Sequence, residues 1–248
     1  MQTACLIVIG NEILSGRTQD ANIAWLAKEL NECGVRLMEV RVIPDIEETI
    51  IHTVNACRPQ FTTLFTTGGI GPTHDDITSA AIAKAFGLPL TRHPEAERRL
   101  LAHYKPEQIN AARMKMADMP QGAALIDNPV SIAPGFVIGN VYVMAGVPSI
   151  MQAMFASIRH QLKGGAKMLS RTISVYITEG TIAAGLSAIQ NDFPEVEIGS
   201  YPFVRGTRLG TSLVARATDA GKLAAASAKI KTMLLALTDE VLEEDLAN

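Results

Sequence analysis

From residue 4 to residue 162, short runs rich in β-branched and apolar residues alternate with longer segments whose apolar positions recur every three or four residues. That alternation leaves few folds open, because strands separated by helices pair in parallel through crossover connections. An α/β sheet is the expected core. Residues 4–9 read as a buried strand, and Ile23, Leu26, Ala27 and Leu30 mark a helix that Gly34 stops. Residues 35–43 read as the second strand, 46–57 as the second helix, and 61–66 as a third strand that runs into Thr67-Gly68-Gly69-Ile70-Gly71-Pro72-Thr73-His74-Asp75-Asp76. A helix over 77–86, ended by Gly87 and Pro89, precedes a charged helical surface stretch over 94–104 and a long ordered loop over 118–134. Residues 136–138 and 141–145 predict a hairpin about Gly139-Asn140, and Pro148 suits the first turn of a helix reaching Leu162.

Lys163-Gly164-Gly165-Ala166-Lys167 has two glycines and no apolar anchor, so it is the expected boundary between a domain over 1–165 and another over 170–248. The second reads as strand (171–177), helix (182–192), two strands (196–200 and 210–217) and helix (222–237), a small α+β unit. At about 80 residues such a unit is marginal alone, so it is expected to dock on the larger domain or on another subunit, and a homo-oligomer is expected. Asp239, Glu240, Glu243, Glu244 and Asp245 read as a solvated helix end.

With 22 Lys and Arg against 25 Asp and Glu, the chain has a formal charge of −3 and offers no long-range attraction to nucleic acid. The apolar run over 5–9 is far below the roughly 18 residues of a membrane span, and no basic segment precedes it to suggest a signal peptide. Cys5, Cys33 and Cys57 form no CxxC pair and read as small buried hydrophobes in a reducing, cytoplasmic setting. Nucleic-acid and membrane partners are not expected.

A glycine-rich turn that leaves a strand and enters a helix offers free backbone N–H groups to an anion, and the helix dipole adds to the attraction. The ten residues 67–76 have that form without the Gly-Lys-Ser/Thr of a Walker loop. Asp75 and Asp76 would repel a phosphate unless a hard divalent cation lay between, which points to metal binding. Helix capping is the competing account, since Thr73 followed by Asp76 resembles a capping box. Gly10, Asn11 and Glu12 leave the first strand at the same sheet edge, and Asp45 follows the second, where it would also serve as an N-cap for the next helix. Ser131, Pro134, Gly135, Gly146 and Pro148 supply two further loops that turn chemistry alone would also explain. No zinc-spaced histidine pair and no GxSxG elbow is present, and His52, His93, His103 and His160 read as surface or helix-face residues. Arg113, Lys115, Arg205 and Arg208 are either phosphate contacts or solvated charges.

Residues 66–78, together with Gly10-Asn11-Glu12-Ile13-Leu14, resemble the molybdopterin-binding-like domain of the CinA family, which also stands at the amino end of eukaryotic FAD synthases. Asn128-Pro129-Val130-Ser131-Ile132-Ala133-Pro134-Gly135-Phe136 and Met144-Ala145-Gly146-Val147-Pro148-Ser149-Ile150-Met151 resemble that family's other signature segments, and Ile198-Gly199-Ser200-Tyr201-Pro202 resembles its second domain. The resemblance implies a three-layer α/β/α domain with a mostly parallel sheet, as in molybdenum-cofactor biosynthesis proteins, and a small C-terminal α+β domain. It further implies divalent-metal-dependent hydrolysis of a nucleotide pyrophosphate, ADP-ribose or FAD, with release of AMP. Mg²⁺, Mn²⁺ or Co²⁺ is the expected cofactor, and a monovalent cation is a further candidate.

By matching position, Gly68, Gly69, Gly71 and Thr73 would hold phosphates and Asp45 would be a ligand-pocket acid, while Asp76 matches the family's loop aspartate; Gly10, Asn11, Thr67, Pro72, Thr78, Ser131, Pro134, Gly135, Gly146 and Pro148 are the further ligand-binding candidates. Glu12, Asp75 and Asp76 would act in catalysis, the two aspartates as metal ligands. Two departures stand out. Longer CinA proteins continue into a nicotinamide-mononucleotide amidohydrolase domain beyond the point where this chain ends, so a stand-alone form is expected. Arg113-Met114-Lys115-Met116-Ala117 replaces the family pattern Asn-x-x-Gln-Ala. Molybdopterin binding or adenylyl transfer, and non-catalytic nucleotide binding, are the alternative functions on the same scaffold.

Overall fold

The computed structural model describes residues 2–162 and 164–244, and two compact units separate between Gly165 and Ala166. The first unit begins with β1 (Gln2–Ile9), α1 (Asn11–Leu14), α2 (Asn22–Glu32), β2 (Val35–Ile43), α3 (Glu47–Cys57), β3 (Thr63–Thr67) and α4 (Thr78–Ala85). It continues through β4 (Leu90–Arg92), α5 (Pro94–His103), α6 (Ala111–Lys115), β5 (Asp118–Pro120), β6 (Ala124–Ile126), β7 (Gly135–Ile138), β8 (Val141–Met144) and α7 (Pro148–Ile158). Six strands form one sheet in the order β2-β1-β3-β8-β7-β6, with β2, β1, β3 and β8 parallel and β7 and β6 antiparallel at one edge.

The composition of β1 explains the layering. Cys5, Ile7 and Ile9 point into a core shared with Ile50 and Val54 of α3 and Ile82 of α4. Ala4, Leu6 and Val8 point into a second core with Leu26 and Leu30 of α2 and Met151, Met154 and Phe155 of α7. A strand buried on both faces needs a continuous apolar run, as this one has. Three layers result, and the C-terminal strand ends are where such sheets receive ligands.

The second unit contains β9 (Leu169–Val175), α8 (Glu179–Asp192), β10 (Glu197–Arg205), β11 (Arg208–Ala217), α9 (Ala220–Leu235) and β12 (Val241–Glu244). Its sheet runs β10-β11-β9-β12, antiparallel throughout. Ile173, Val175, Leu213 and Ala215 of the sheet pack on Ile182, Ile189, Leu223, Ile230 and Leu234 of the two helices.

Three expectations need correction. Residues 118–134 are not one loop, because β5 pairs with β4 and β6 with β7, each over three residues, too few to show alternation. The C-terminal acids do not prolong a helix: α9 stops at Leu235, and Val241–Glu244 pairs antiparallel with β9, Val241 opposite Val175. Asp245, like Lys163 of the linker, lies outside the described residues. Cys5 and Cys57 are buried but Cys33 is only half-buried. Among the described residues no helix is long and apolar enough to cross a membrane.

Candidate functional site

Loops leaving the C-terminal ends of β1, β3 and β8 converge on a cleft of about 650 Å³ in the first unit. Two glycines shape its floor. Gly68 has φ +102° and Gly69 φ +69°, and a Cβ on either would come within 2.1 Å of Ile9 O or Thr78 Oγ1 respectively. The turn is pinned beneath: Gly68 N donates to Met144 O (3.1 Å), Thr78 Oγ1 to Gly68 O (3.0 Å) and Thr78 N to Gly69 O (3.0 Å). Among the described residues the amides of Gly69, Ile70 and Gly71 donate to no protein acceptor. Gly146, Val147 and Pro148 also line the cleft at the start of α7, whose N-cap Val147 gives no side-chain cap. Free amides and an uncapped helix N-terminus together favour an anion.

The acids are held beside those amides. Thr73 Oγ1 lies 2.5 Å from Asp75 Oδ1 and 2.5 Å from Asp76 Oδ2, and Thr73 N donates to Asp76 Oδ2 at 2.7 Å. The Thr73 hydroxyl, then Asp75's own amide, holds the Asp75 carboxyl below its usual range. Helix capping does not account for Asp76, because α4 starts at Thr78 with Ile77 as its N-cap and no side-chain bond. Capping fails for Asp45 as well. The N-cap of α3 is Ile46, while Asp45 Oδ2 accepts from Asn11 N at 2.9 Å across the strand ends. Glu12 lines the cleft from α1 with its carboxylate in no hydrogen bond or ion pair among the described residues. Lys115 Nζ donates to Thr73 O (2.8 Å) and so braces the acid loop.

No three His, Cys, Asp or Glu side chains gather as metal ligands among the described residues. The pair Asp75 and Asp76 still fits Mg²⁺, which commonly takes one or two carboxylates and completes its shell with water and substrate phosphates.

Of the residues singled out from sequence, Glu12, Asp45, Gly68, Gly69, Gly71, Pro72, Thr73, Asp75, Asp76, Arg113, Ser131, Gly146 and Pro148 line this cleft. Others support it from outside the lining. Thr67 and Thr78 are buried beneath the glycine turn, and the Thr67 hydroxyl has no protein partner. Gly10 donates its N–H to Ile43 O, and Gly135 lies in β7, where a Cβ would meet Val143 O at 2.4 Å. Pro134 stands just before β7 and outside the lining. Arg208, in the second unit, pairs with Glu240 and stacks 3.6 Å above the Tyr176 ring. Arg205 lies 4.7 Å above the Phe203 ring.

Several lining residues had no periodic or glycine signal: Tyr104, Met116, Ile150, Met154 and Asn128. Asn128 is buried and fully used. Its Nδ2 donates to Ser131 Oγ and Ala133 O, both 2.7 Å, and its Oδ1 accepts from Val130 N and Ser131 N, both 3.1 Å. Within that loop Ile132 takes φ +67°, a conformation that costs a β-branched residue on the order of 1–3 kcal/mol. The Asn128 bonds hold the loop in place and keep Ser131 on the cleft wall.

Comparison with known proteins agrees with this architecture. Residues 5–164 match the family described as a probable molybdopterin binding domain, and residues 167–239 match the middle domain of FAD synthase. A protein of Archaeoglobus fulgidus is 36% identical over 197 residues, 79% of this chain and 84% of that protein. A CinA-like protein of Salinibacter ruber is 32% identical over 234 residues, 88% of this chain but only 56% of that longer protein. Among solved structures, the protein CinA from Thermoplasma acidophilum, of unknown function, superposes with a TM-score of 0.61 at 31% identity, over 64% of this chain and 97% of that one. Sheet order, glycine turn and these matches agree that the chain belongs to the CinA family, with a molybdopterin-binding-type domain as its first unit.

Proposed function

We propose that this protein hydrolyses a nucleotide pyrophosphate of the ADP-ribose or FAD type in the first-unit cleft, with a divalent metal, and releases AMP. The observation that carries the reading is the Thr73 hydroxyl shared by Asp75 and Asp76 beside the free amides of Gly69, Ile70 and Gly71. Amides receive phosphate oxygens, and paired carboxylates beside them make sense only with a cation between the like charges. A metal held by Asp75 and Asp76 would supply charge neutralisation on the phosphates. The chain's own groups do the rest. The glycine turn and the start of α7 hold one phosphate in place, so that catalysis is chiefly positioning and electrostatics. Glu12, whose carboxylate is unengaged, takes a proton from water as it adds to phosphorus, and the bridging P–O–P link opens to leave AMP and the second phosphate ester. The match to a FAD synthase domain supports a dinucleotide substrate.

A second reading, binding of a molybdopterin phosphate by the same turn, is favoured by the family description of residues 5–164. Product analysis separates the two. Metal-stripped protein is incubated with ADP-ribose and FAD, with and without Mg²⁺, Mn²⁺ or Co²⁺, beside Asp76→Asn. Metal-dependent AMP release that the variant loses while still binding ligand is the expected result. No AMP with any of the three metals overturns the hydrolase reading and leaves pterin binding as the function to assay.

A further inference from the structure

The cleft holds four carboxylates, Glu12, Asp45, Asp75 and Asp76, and among its lining residues a single Lys or Arg, Arg113 of α6. An arginine in such company is expected to pair with an acid. Arg92, Arg98, Arg99 and Arg208 all do so elsewhere in the molecule. Arg113 does not. Its Nη1 donates to the Gln108 carbonyl, and its guanidinium carbon lies 4.6 Å above the Tyr104 ring. Its backbone is fixed too, because Arg113 N donates to Asn110 Oδ1 at 2.9 Å where that residue caps α6. One edge and one face of the guanidinium are therefore occupied by neutral groups, and Nε and Nη2 keep their N–H donors. A planar cation immobilised in this way loses little entropy on binding and presents a fork that suits a phosphate.

Building on the proposal that a pyrophosphate occupies the cleft, we infer that Arg113 binds the phosphate not held by the glycine turn and the acid pair, and thereby selects diphosphates over monophosphates. Arg113 is the specificity-determining residue, and Tyr104 positions it. The metal and the amides need one phosphate. The arginine needs a second, and a monophosphate leaves it without a partner.

The test is isothermal titration of the full chain with α,β-methylene-ADP and with AMP, in Mg²⁺, for wild type, Arg113→Met, Arg113→Lys and Tyr104→Leu. Charge-assisted hydrogen bonds from one guanidinium are worth about tenfold or more in affinity, so wild type binds the diphosphate more tightly by about that factor. Arg113→Met loses the preference by weakening the diphosphate alone, Arg113→Lys recovers part of it, and Tyr104→Leu weakens the diphosphate with AMP unchanged. Circular dichroism checks folding, and Arg113→Gln replaces Arg113→Met if the latter does not fold. No preference in wild type, or an unaltered preference once Arg113 is replaced, overturns the inference. Failure of the hydrolase reading shows separately, as absence of AMP from ADP-ribose, because the titration reads binding without turnover.

Discussion

Thr73 sits at the point where the loop's chemistry is decided, since its hydroxyl is within 2.5 Å of both Asp75 and Asp76. For Asp75 the folded-state pKa is depressed from 3.8, so the carboxylate stays ionised through the ordinary aspartate range, and whatever it supports is lost only as pH falls through the lowered value. Thr73→Val removes the main cause of that depression. The acid limb of metal-dependent AMP release should then move to higher pH, toward the ordinary aspartate value, in a pH profile of kcat/KM. An unmoved limb would show that Asp75 ionisation does not govern the reaction. Gly68→Ala acts on the fold instead. The new methyl would meet Ile9 O at 2.1 Å in a backbone with φ +102°, and a loss of about 2–4 kcal/mol is expected in denaturant melts. The need for glycine here was legible in the sequence because glycines cluster where a strand gives way to a helix. The roles of Asp45 and Asp76 were not, since a helix-capping aspartate and a cleft aspartate look alike until the helix start is known. The starts at Glu47 and Thr78 decide between them.

Elements were legible in proportion to their length. The unbroken apolar run of the eight-residue β1 and the helical period of the eleven-residue α2 are enough to declare them, whereas α1, α6, β5 and β6 span three to five residues and show neither. That is why the α6 wall of the cleft, with Arg113 and Met116, had only a charge to draw attention to it. The strand β10 was underestimated because Pro202 interrupts its pattern. Its place explains the tolerance. Ile198 N donates to Gln190 Oε1 instead of to β11, so on this sheet-edge strand the even-numbered residues turn their backbone groups outward, Pro202 among them. The missing N–H thus falls on the open edge and costs the ladder nothing, while removing a donor that another strand would use. Pro202→Val restores that donor beside exposed Tyr201 and Val204, and sedimentation velocity should show concentration-dependent association beyond that of the wild type at equal loading. A variant sedimenting like the wild type would mean that the Gln190 bonds to Ile198 N and Val196 O suffice to blunt the edge.

On the scale of the whole molecule, the division of labour follows from where the cores lie. The buried cluster of the second unit contains residues from Ile173 to Leu234, and the two clusters of the first stop at Ile158. Each unit thus buries its own apolar surface, and the first, with two sheet faces covered by helices, has the larger share of it. Every residue lining the cleft lies between Ile9 and Met154. The glycine-turn amides, acid pair, Asn128-braced loop and Arg113 are all positioned by that sheet and by hydrogen bonds internal to the first unit. All of the groups proposed to hold the ligand belong to the first unit, which is expected to bind it by itself. A chain cut after Gly165 should bind α,β-methylene-ADP in Mg²⁺ with the same Kd and the same preference over AMP as the full protein, measured by titration once circular dichroism has shown it folded. If the shortened chain folds and its affinity falls, the second unit completes the site, and the substrate must be sought in residues that both units provide.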